Sequence, residues 1–148
     1  MDLRAVNGQF VLDRFPIQSH SLALTLTFRL LAGNPETQAM AASRTLRHFQ
    51  NVFYRTLLGP RWQGQRQPAQ VWCIEQGDSL RLHAHGAITF CQPIPRSQIQ
   101  AACRYAVKKI ENLLPEYDLQ MPCDLGWLNY ITKLNNADDC LDWLASDL

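Results

Sequence analysis

Three residues in this chain have the types and spacing to do chemistry: His83 and His85, separated by Ala84, and Tyr130, followed three positions later by Lys133. In a strand, residues i and i+2 point to the same face, about 7 Å apart along the chain. Two imidazoles so placed can converge on one metal ion. A helical Tyr-x-x-Lys puts a phenol and an ammonium on one helix face. A metal and a positioned phenol together suggest phosphoryl transfer to tyrosine.

The third candidate ligand is Glu75. Residues 70–76 and 81–90 read as two strands joined by a tight connection around Gly77-Asp78-Ser79. A hairpin centred there sets Glu75 opposite, or nearly opposite, His83. A carboxylate is otherwise an odd choice after Val71-Trp72-Cys73-Ile74. Two imidazoles and one carboxylate leave coordination positions open, which suits a catalytic ion. Mn²⁺ or Mg²⁺ is the expected cofactor, and imidazole ligands favour Mn²⁺. A rival set would add Cys73 and Cys91 to the histidines and close the site around zinc. Cys91 lies six residues past His85, about 20 Å along an extended strand.

On a helical wheel, Trp127, Ile131 and Leu134 cluster on one side, which must be buried. Tyr130 falls on the border of that stripe. Lys133 lies about 60° from it, on the polar side. Packing can therefore hold the phenol while its oxygen faces a cleft. A free phenol has a pKa of about 10, so about one in a thousand is ionised at neutral pH. It needs a cation or a lysine nearby to act as a nucleophile.

The elements that must position these groups follow from periodicity. Residues 20–30 read as a strand: Leu22, Leu24, Leu26 and Phe28 alternate with Ala23, Thr25, Thr27 and Arg29. Residues 36–58 read as a helix with Met40, Leu46, Phe49, Phe53 and Leu57 on its apolar side. Arg44, Arg47, Asn51 and Arg55 make a basic side, either solvated or facing nucleic acid. A loop over 59–69 carries Arg61-Trp62 and Arg66, which could stack on and neutralise a nucleic acid. A second helix is expected over 97–114, stopped near Pro115, with a short strand from Tyr117 to Met121. Asp124 is a plausible N-cap for a helix over 125–135. A last amphipathic turn or two through Cys140, Leu141 and Leu144 would follow. The order β-α-β-β-α-β-α predicts an α+β sandwich on a central antiparallel sheet flanked by helices.

Composition narrows the class. With 148 residues and 47% hydrophobic content, one domain spanning 1–148 with an ordinary core is expected. Five cysteines, an odd number without any C-x-x-C, argue for a reducing compartment rather than a disulfide scaffold. No apolar run approaches the roughly 18 residues needed to span a membrane, and no signal peptide is visible. Net charge is +1, but residues 1–66 hold a surplus of five positive charges and residues 67–148 a surplus of four negative ones. Such a chain is ill suited to coating long duplex DNA by charge alone, yet could hold a short single strand if its arginines cluster.

Taken together, these pieces resemble the HUH endonucleases of the replication-initiator (Rep) type. Leu24-Thr25-Leu26-Thr27-Phe28 looks like that family's first motif, a strand near the DNA cleft. His83-Ala84-His85 is similar to the second, His-hydrophobe-His, with an unusually small middle residue. Glu75, eight residues upstream, matches the extra carboxylate ligand of related viral Reps, and Tyr130-Ile131-Thr132-Lys133 looks like the third motif. The motifs span residues 24–133; each is short, and their joint order is the specific signal.

The resemblance implies an RNA-recognition-like sheet and nicking of single-stranded DNA at an origin hairpin or nick site. Tyr130 would become linked to the 5′-phosphate, release a 3′-OH and allow later rejoining, as in rolling-circle replication of a plasmid, phage or virus. It also implies Thr25, Thr27 and Arg29 as DNA contacts, and a cytoplasmic location, or a nuclear one for a eukaryotic virus. The chain has no G-x-x-x-x-G-K-[ST], so unwinding would need a separate helicase. A single tyrosine in the third motif fits single-turnover nicking or a cycle with a second subunit. Two other readings remain. A single-tyrosine transposase of the same superfamily suits the length, although Lys133 matches the Rep pattern. A non-catalytic nucleic-acid-binding module would stack bases on sheet aromatics such as Phe28 and Phe90.

Overall fold

The computed structural model describes residues 12–29, 32–76 and 81–134. Among the described residues the principal elements follow one another as β1 (Leu22–Phe28), α1 (Pro35–Leu58), α2 (Trp62–Gln65), β2 (Ala69–Gln76), β3 (Leu82–Thr89), α3 (Arg96–Lys109), β4 (Leu113–Gln120) and α4 (Leu125–Leu134). The strands form one antiparallel sheet in the order β2-β3-β1-β4. The expected α+β architecture is therefore present.

Alternation along β1 sends Leu22, Leu24, Leu26 and Phe28 to one face, where all four are fully buried. Helix α1 adds Leu46, Phe49 and Phe53, and α3 adds Ile99, Cys103 and Ala106, to form the main core. Phe49 stacks on Phe53 with ring centroids 5.2 Å apart and meets the edge of Trp72 at 6.3 Å. Each such aromatic contributes roughly 1.5–3 kcal/mol by burial. The buried polar groups of this layer are paired: Gln70 Oε1 accepts from the Tyr54 hydroxyl at 2.6 Å and from Trp72 Nε1 at 2.8 Å. Asn34 caps α1 by accepting from the Thr37 amide at 2.9 Å.

A smaller core lies on the opposite face. Leu128 and Ile131 of α4, with Phe15 from the N-terminal segment, cover Val71, Cys73, Ala23 and Ala87. The cover reaches only part of that face, and the remainder holds the histidine pair.

Several expectations need correction. The second helix stops at Lys109 rather than 114, and the following strand starts at Leu113 rather than Tyr117. Pro115 lies within β4, which is possible because β4 is an edge strand. The register there is irregular: Phe28 pairs with Leu113, but Leu26 pairs with Tyr117, leaving three β4 residues opposite one of β1. The 59–69 loop contains the short helix α2, which buries Trp62 against Tyr54 at 5.0 Å between centroids. Trp62 therefore packs on its own domain and offers no face for base stacking. Met40, expected in the core, is 54% exposed because α1 begins beyond the sheet's cover. The turn at 77–79 and the segment after residue 134 lie outside the described residues. No helix among the described residues is long and apolar enough to cross a membrane.

Candidate functional site

The face opposite α1 and α3 carries the polar positions of three neighbouring strands. In register, Glu75 of β2 is directly opposite His83 of β3, which is directly opposite Thr27 of β1. One step along, Cys73, His85, Thr25 and Asp118 make a second row across all four strands. Directly opposed residues share a face, so the alternation that buries Leu24 and Leu26 sends both threonines to the histidines. The hairpin register inferred from the turn residues is the one observed.

Each imidazole is held at Nδ1. Thr25 Oγ1 lies 3.0 Å from His85 Nδ1, and Thr27 Oγ1 lies 3.1 Å from His83 Nδ1. The two rings are nearly parallel, 20° apart, with centroids separated by 6.3 Å. His85 Nε2 is 2.5 Å from Glu75 Oε1. A carboxylate only accepts, so Nε2 is the donor in this contact. Burial, then the adjacent His85, lowers the pKa of His83; Glu75 opposes this and Arg81 adds to it. A neutral imidazole with a free lone pair is the form that ligates metal.

Helix α4 brings the tyrosine. Asp124 caps it by accepting from the Trp127 amide at 2.9 Å, as its sequence position implied. Trp127 Nε1 donates to the Gly86 carbonyl at 2.9 Å and ties the helix to β3 beside His85. Tyr130 stacks on Trp127 at 5.6 Å, and its ring stands edge-on to His85 at 5.8 Å. It remains 44% exposed, so its ring is gripped while its surface is reachable. Desolvation first, then the charge of Glu75, a smaller effect of Cys73 and a hydrogen bond with Glu75 raise the Tyr130 pKa. These effects hold the phenol in its protonated form.

The other tyrosines stand elsewhere. Tyr54 is buried against Gln70, Tyr117 donates to the Gln100 carbonyl at 3.3 Å, and Tyr105 meets Lys109 on α3. Tyr130 alone borders the histidine pair.

Not every expected residue joins the site. Arg29 follows β1 and donates from Nε to the Glu111 carbonyl at 2.7 Å, at the sheet's end. Lys133 lies in α4 one turn beyond Tyr130; its side chain is outside the described residues. Cys91 is exposed at the far end of β3 with its thiol on the Gln67 carbonyl, which removes it from a closed zinc set. Phe28 and Phe90 are buried on the helix face and offer no stacking platform. Sequence reasoning missed two features. Asp118 falls inside the expected strand from Tyr117 to Met121, but its alignment with Thr25 depends on β4 pairing with β1. The histidine-orienting role of the threonines follows only from register.

The donor set suits a divalent cation. Both Nδ1 atoms are engaged by threonine, so ligation falls to the Nε2 atoms, and that of His85 must first give up its hydrogen bond to Glu75. Among the described residues, however, no three His, Cys, Asp or Glu side chains are already gathered as a coordination shell. Glu75 and His85 are in contact, and His83 would have to close on them.

A basic surface lies at the sheet end where Arg29 emerges. Two adjoining grooves around Ile110–Asn112 are lined by Arg29 and Lys108 on one side and by Arg44, His48 and Lys109 on the other, with Glu111 the only acid lining either among the described residues. The loop between them is braced: the Arg29 amide donates to the Asn112 carbonyl at 2.7 Å, and Asn112 Nδ2 donates to Thr45 Oγ1 at 3.4 Å. No family model, curated protein sequence or solved structure matches this chain.

Proposed function

We propose that the chain is a metal-dependent, single-tyrosine nickase of single-stranded DNA, of the replication-initiator HUH type. The observation that carries this reading is the Tyr130 ring standing edge-on to His85 at 5.8 Å, with His85 itself hydrogen-bonded to Glu75. A phenol on one face of a histidine–carboxylate pair is the arrangement a nucleophile needs beside a phosphate-activating centre.

In this reading, the Tyr130 oxygen attacks a backbone phosphorus. A phosphotyrosine ester forms to the 5′-phosphate, the P–O3′ bond breaks, and the 3′-oxygen leaves as a hydroxyl once protonated. The phenolic proton passes to water. Trp127 fixes the ring plane by stacking, and Thr25 and Thr27 hold the imidazoles. His83, His85 and Glu75 are the residues that would hold Mn²⁺ or Mg²⁺. A cation bound there would polarise the scissile phosphate and offset the Glu75 charge that disfavours the phenolate. Ester energy is retained in the phosphotyrosine bond, so rejoining by the reverse attack is possible. The partner is single-stranded DNA at a hairpin or nick site, with unwinding left to a separate helicase.

The test is incubation with a single-strand oligonucleotide library and Mn²⁺, followed by isolation of covalent adducts. The expected adduct carries the fragment 3′ of the nick, attached through its 5′-phosphate to Tyr130. DNA on another residue, or on none, defeats the mechanism.

A further inference from the structure

The two threonine–imidazole contacts are alike. Both pair a β1 hydroxyl with the Nδ1 of its direct cross-strand partner, at 3.0 and 3.1 Å. Both rings lie nearly parallel as a result. We propose that Thr25 and Thr27 are positioning residues that hold both imidazoles by Nδ1, reserving the Nε2 atoms for a cation, and let His85 change tautomer in place when a cation takes over its Nε2.

The chemistry of the hydroxyl carries the argument. A neutral imidazole has one N–H. While His85 donates from Nε2 to Glu75, its Nδ1 is a bare acceptor, and the Thr25 hydroxyl must donate to it. A metal ligand needs the opposite tautomer, with the lone pair on Nε2 and the proton on Nδ1. The Nε2 proton then leaves to solvent, one is taken up at Nδ1, and Thr25 Oγ1 turns from donor to acceptor. A carboxylate or carbonyl at position 25 could serve only the second state. A hydroxyl serves both without moving a heavy atom. Thr27 holds His83 in the same way but need only accept, because His83 Nε2 has no such contact with Glu75 among the described residues and can keep the ligating tautomer throughout.

Register makes the device specific. A slip of one residue between β1 and β3 would set Leu24 or Leu26 on the histidine face and leave both Nδ1 atoms without a partner. Side-chain shape is separable from the hydroxyl, because Val fills the place of Thr in a strand and removes only the oxygen's hydrogen bonding.

This inference rests on the metal-binding part of the proposed function, and two measurements keep them apart. In metal-free protein, ¹⁵N NMR of the histidine rings reads tautomer and Nδ1 hydrogen bonding directly. The expected wild-type spectrum shows a single Nε2–H tautomer for His85 with a hydrogen-bonded Nδ1. Thr25→Val should shift that Nδ1 resonance, and Thr25→Ser should restore it. An averaged tautomer in the wild type, or no shift in Thr25→Val, overturns the proposal whatever the metal does. Mn²⁺ affinity of the DNA-free protein is the second readout. Thr25→Val and Thr27→Val should each weaken it by roughly 10-fold or more, the usual scale for an outer-shell partner, while the Ser variants stay near wild type. Wild-type affinity in both Val variants also overturns it. Defined tautomers with no Mn²⁺ binding by any variant would sink the metal reading and the tautomer change with it, leaving only the orientation of the rings.

Discussion

Tyr130 and Glu75 oppose one another electrostatically, and that has a measurable sign. Burial and the Glu75 carboxylate disfavour the phenolate, so the Tyr130 pKa lies above its ordinary value. Replacing Glu75 by Gln removes the charge, and the phenol should then ionise at lower pH; ultraviolet titration of wild type, Glu75→Gln and Tyr130→Phe isolates its contribution. An unchanged Tyr130 titration in Glu75→Gln would show that the carboxylate does not bear on it. Because the folded pKa is raised, the unfolded chain loses this proton first. Stability is unaffected by this group below a pH of about 10 and falls as pH rises through the folded pKa. Under the proposed function, Tyr130→Phe keeps the ring packed on Trp127 and His85, so folding and DNA binding survive while cleavage and adduct formation vanish. Lys133→Met, one turn away, should slow single-turnover cleavage by roughly 10²-fold through loss of one electrostatic stabiliser, with metal affinity little changed.

At the scale of elements, the site depends on how closely β3 packs against its neighbours. Gly86 is opposite Trp72, and a Cβ built there would lie 2.5 Å from an indole ring carbon. Gly86→Ala must push a fully buried Trp72 off its place, at a cost of about 1–3 kcal/mol. Thermal denaturation should show it as a clearly lowered Tm; an unchanged Tm would mean that Trp72 repacks freely. The same carbonyl anchors Trp127, so the variant disturbs the seat of Tyr130 as well. Asp124→Ala removes the α4 cap and should destabilise the helix by about 1 kcal/mol. Hydrogen exchange of the first-turn amides of α4 checks this, and protection equal to wild type would count against the cap's contribution.

For the molecule as a whole, charge is distributed where the opposing core layers end. The chain's net charge of +1 conceals a surplus on residues 1–66. Folding brings Arg29 and Arg44 from that half beside Lys108 and Lys109 of the other, around the α3–β4 connection. If single-stranded DNA reaches this surface, Arg44→Gln with Lys108→Gln should lower affinity and reduce the salt slope of binding by about 1.4, at about 0.7 per phosphate contact. An unaltered slope would place the strand elsewhere. The variants leave the histidine face intact, so Mn²⁺ affinity serves as the control.

Period-2 alternation in β1 and the turn residues after Glu75 were enough to foresee the sheet, the hairpin register and the meeting of Glu75 with the histidine pair. Helix spacing and the Asp124 cap placed Tyr130 at the edge of a buried stripe. These are local properties, set by backbone geometry within a few residues, so the sequence alone determines them. Pro115 misled as a helix stop because its effect depends on β4 being an edge strand, a matter of strand order. That Trp62 turns inward, that Phe28 and Phe90 face α1 and α3, and that Arg29 ends on a carbonyl are likewise tertiary outcomes. The pairing of Thr25 with His85 and of Thr27 with His83 joins residues 60 and 56 positions apart. No local pattern encodes such a contact; it arises because burying one face of β1 against the helices leaves its alternate side chains only one strand, β3, and one register in which to meet the imidazoles.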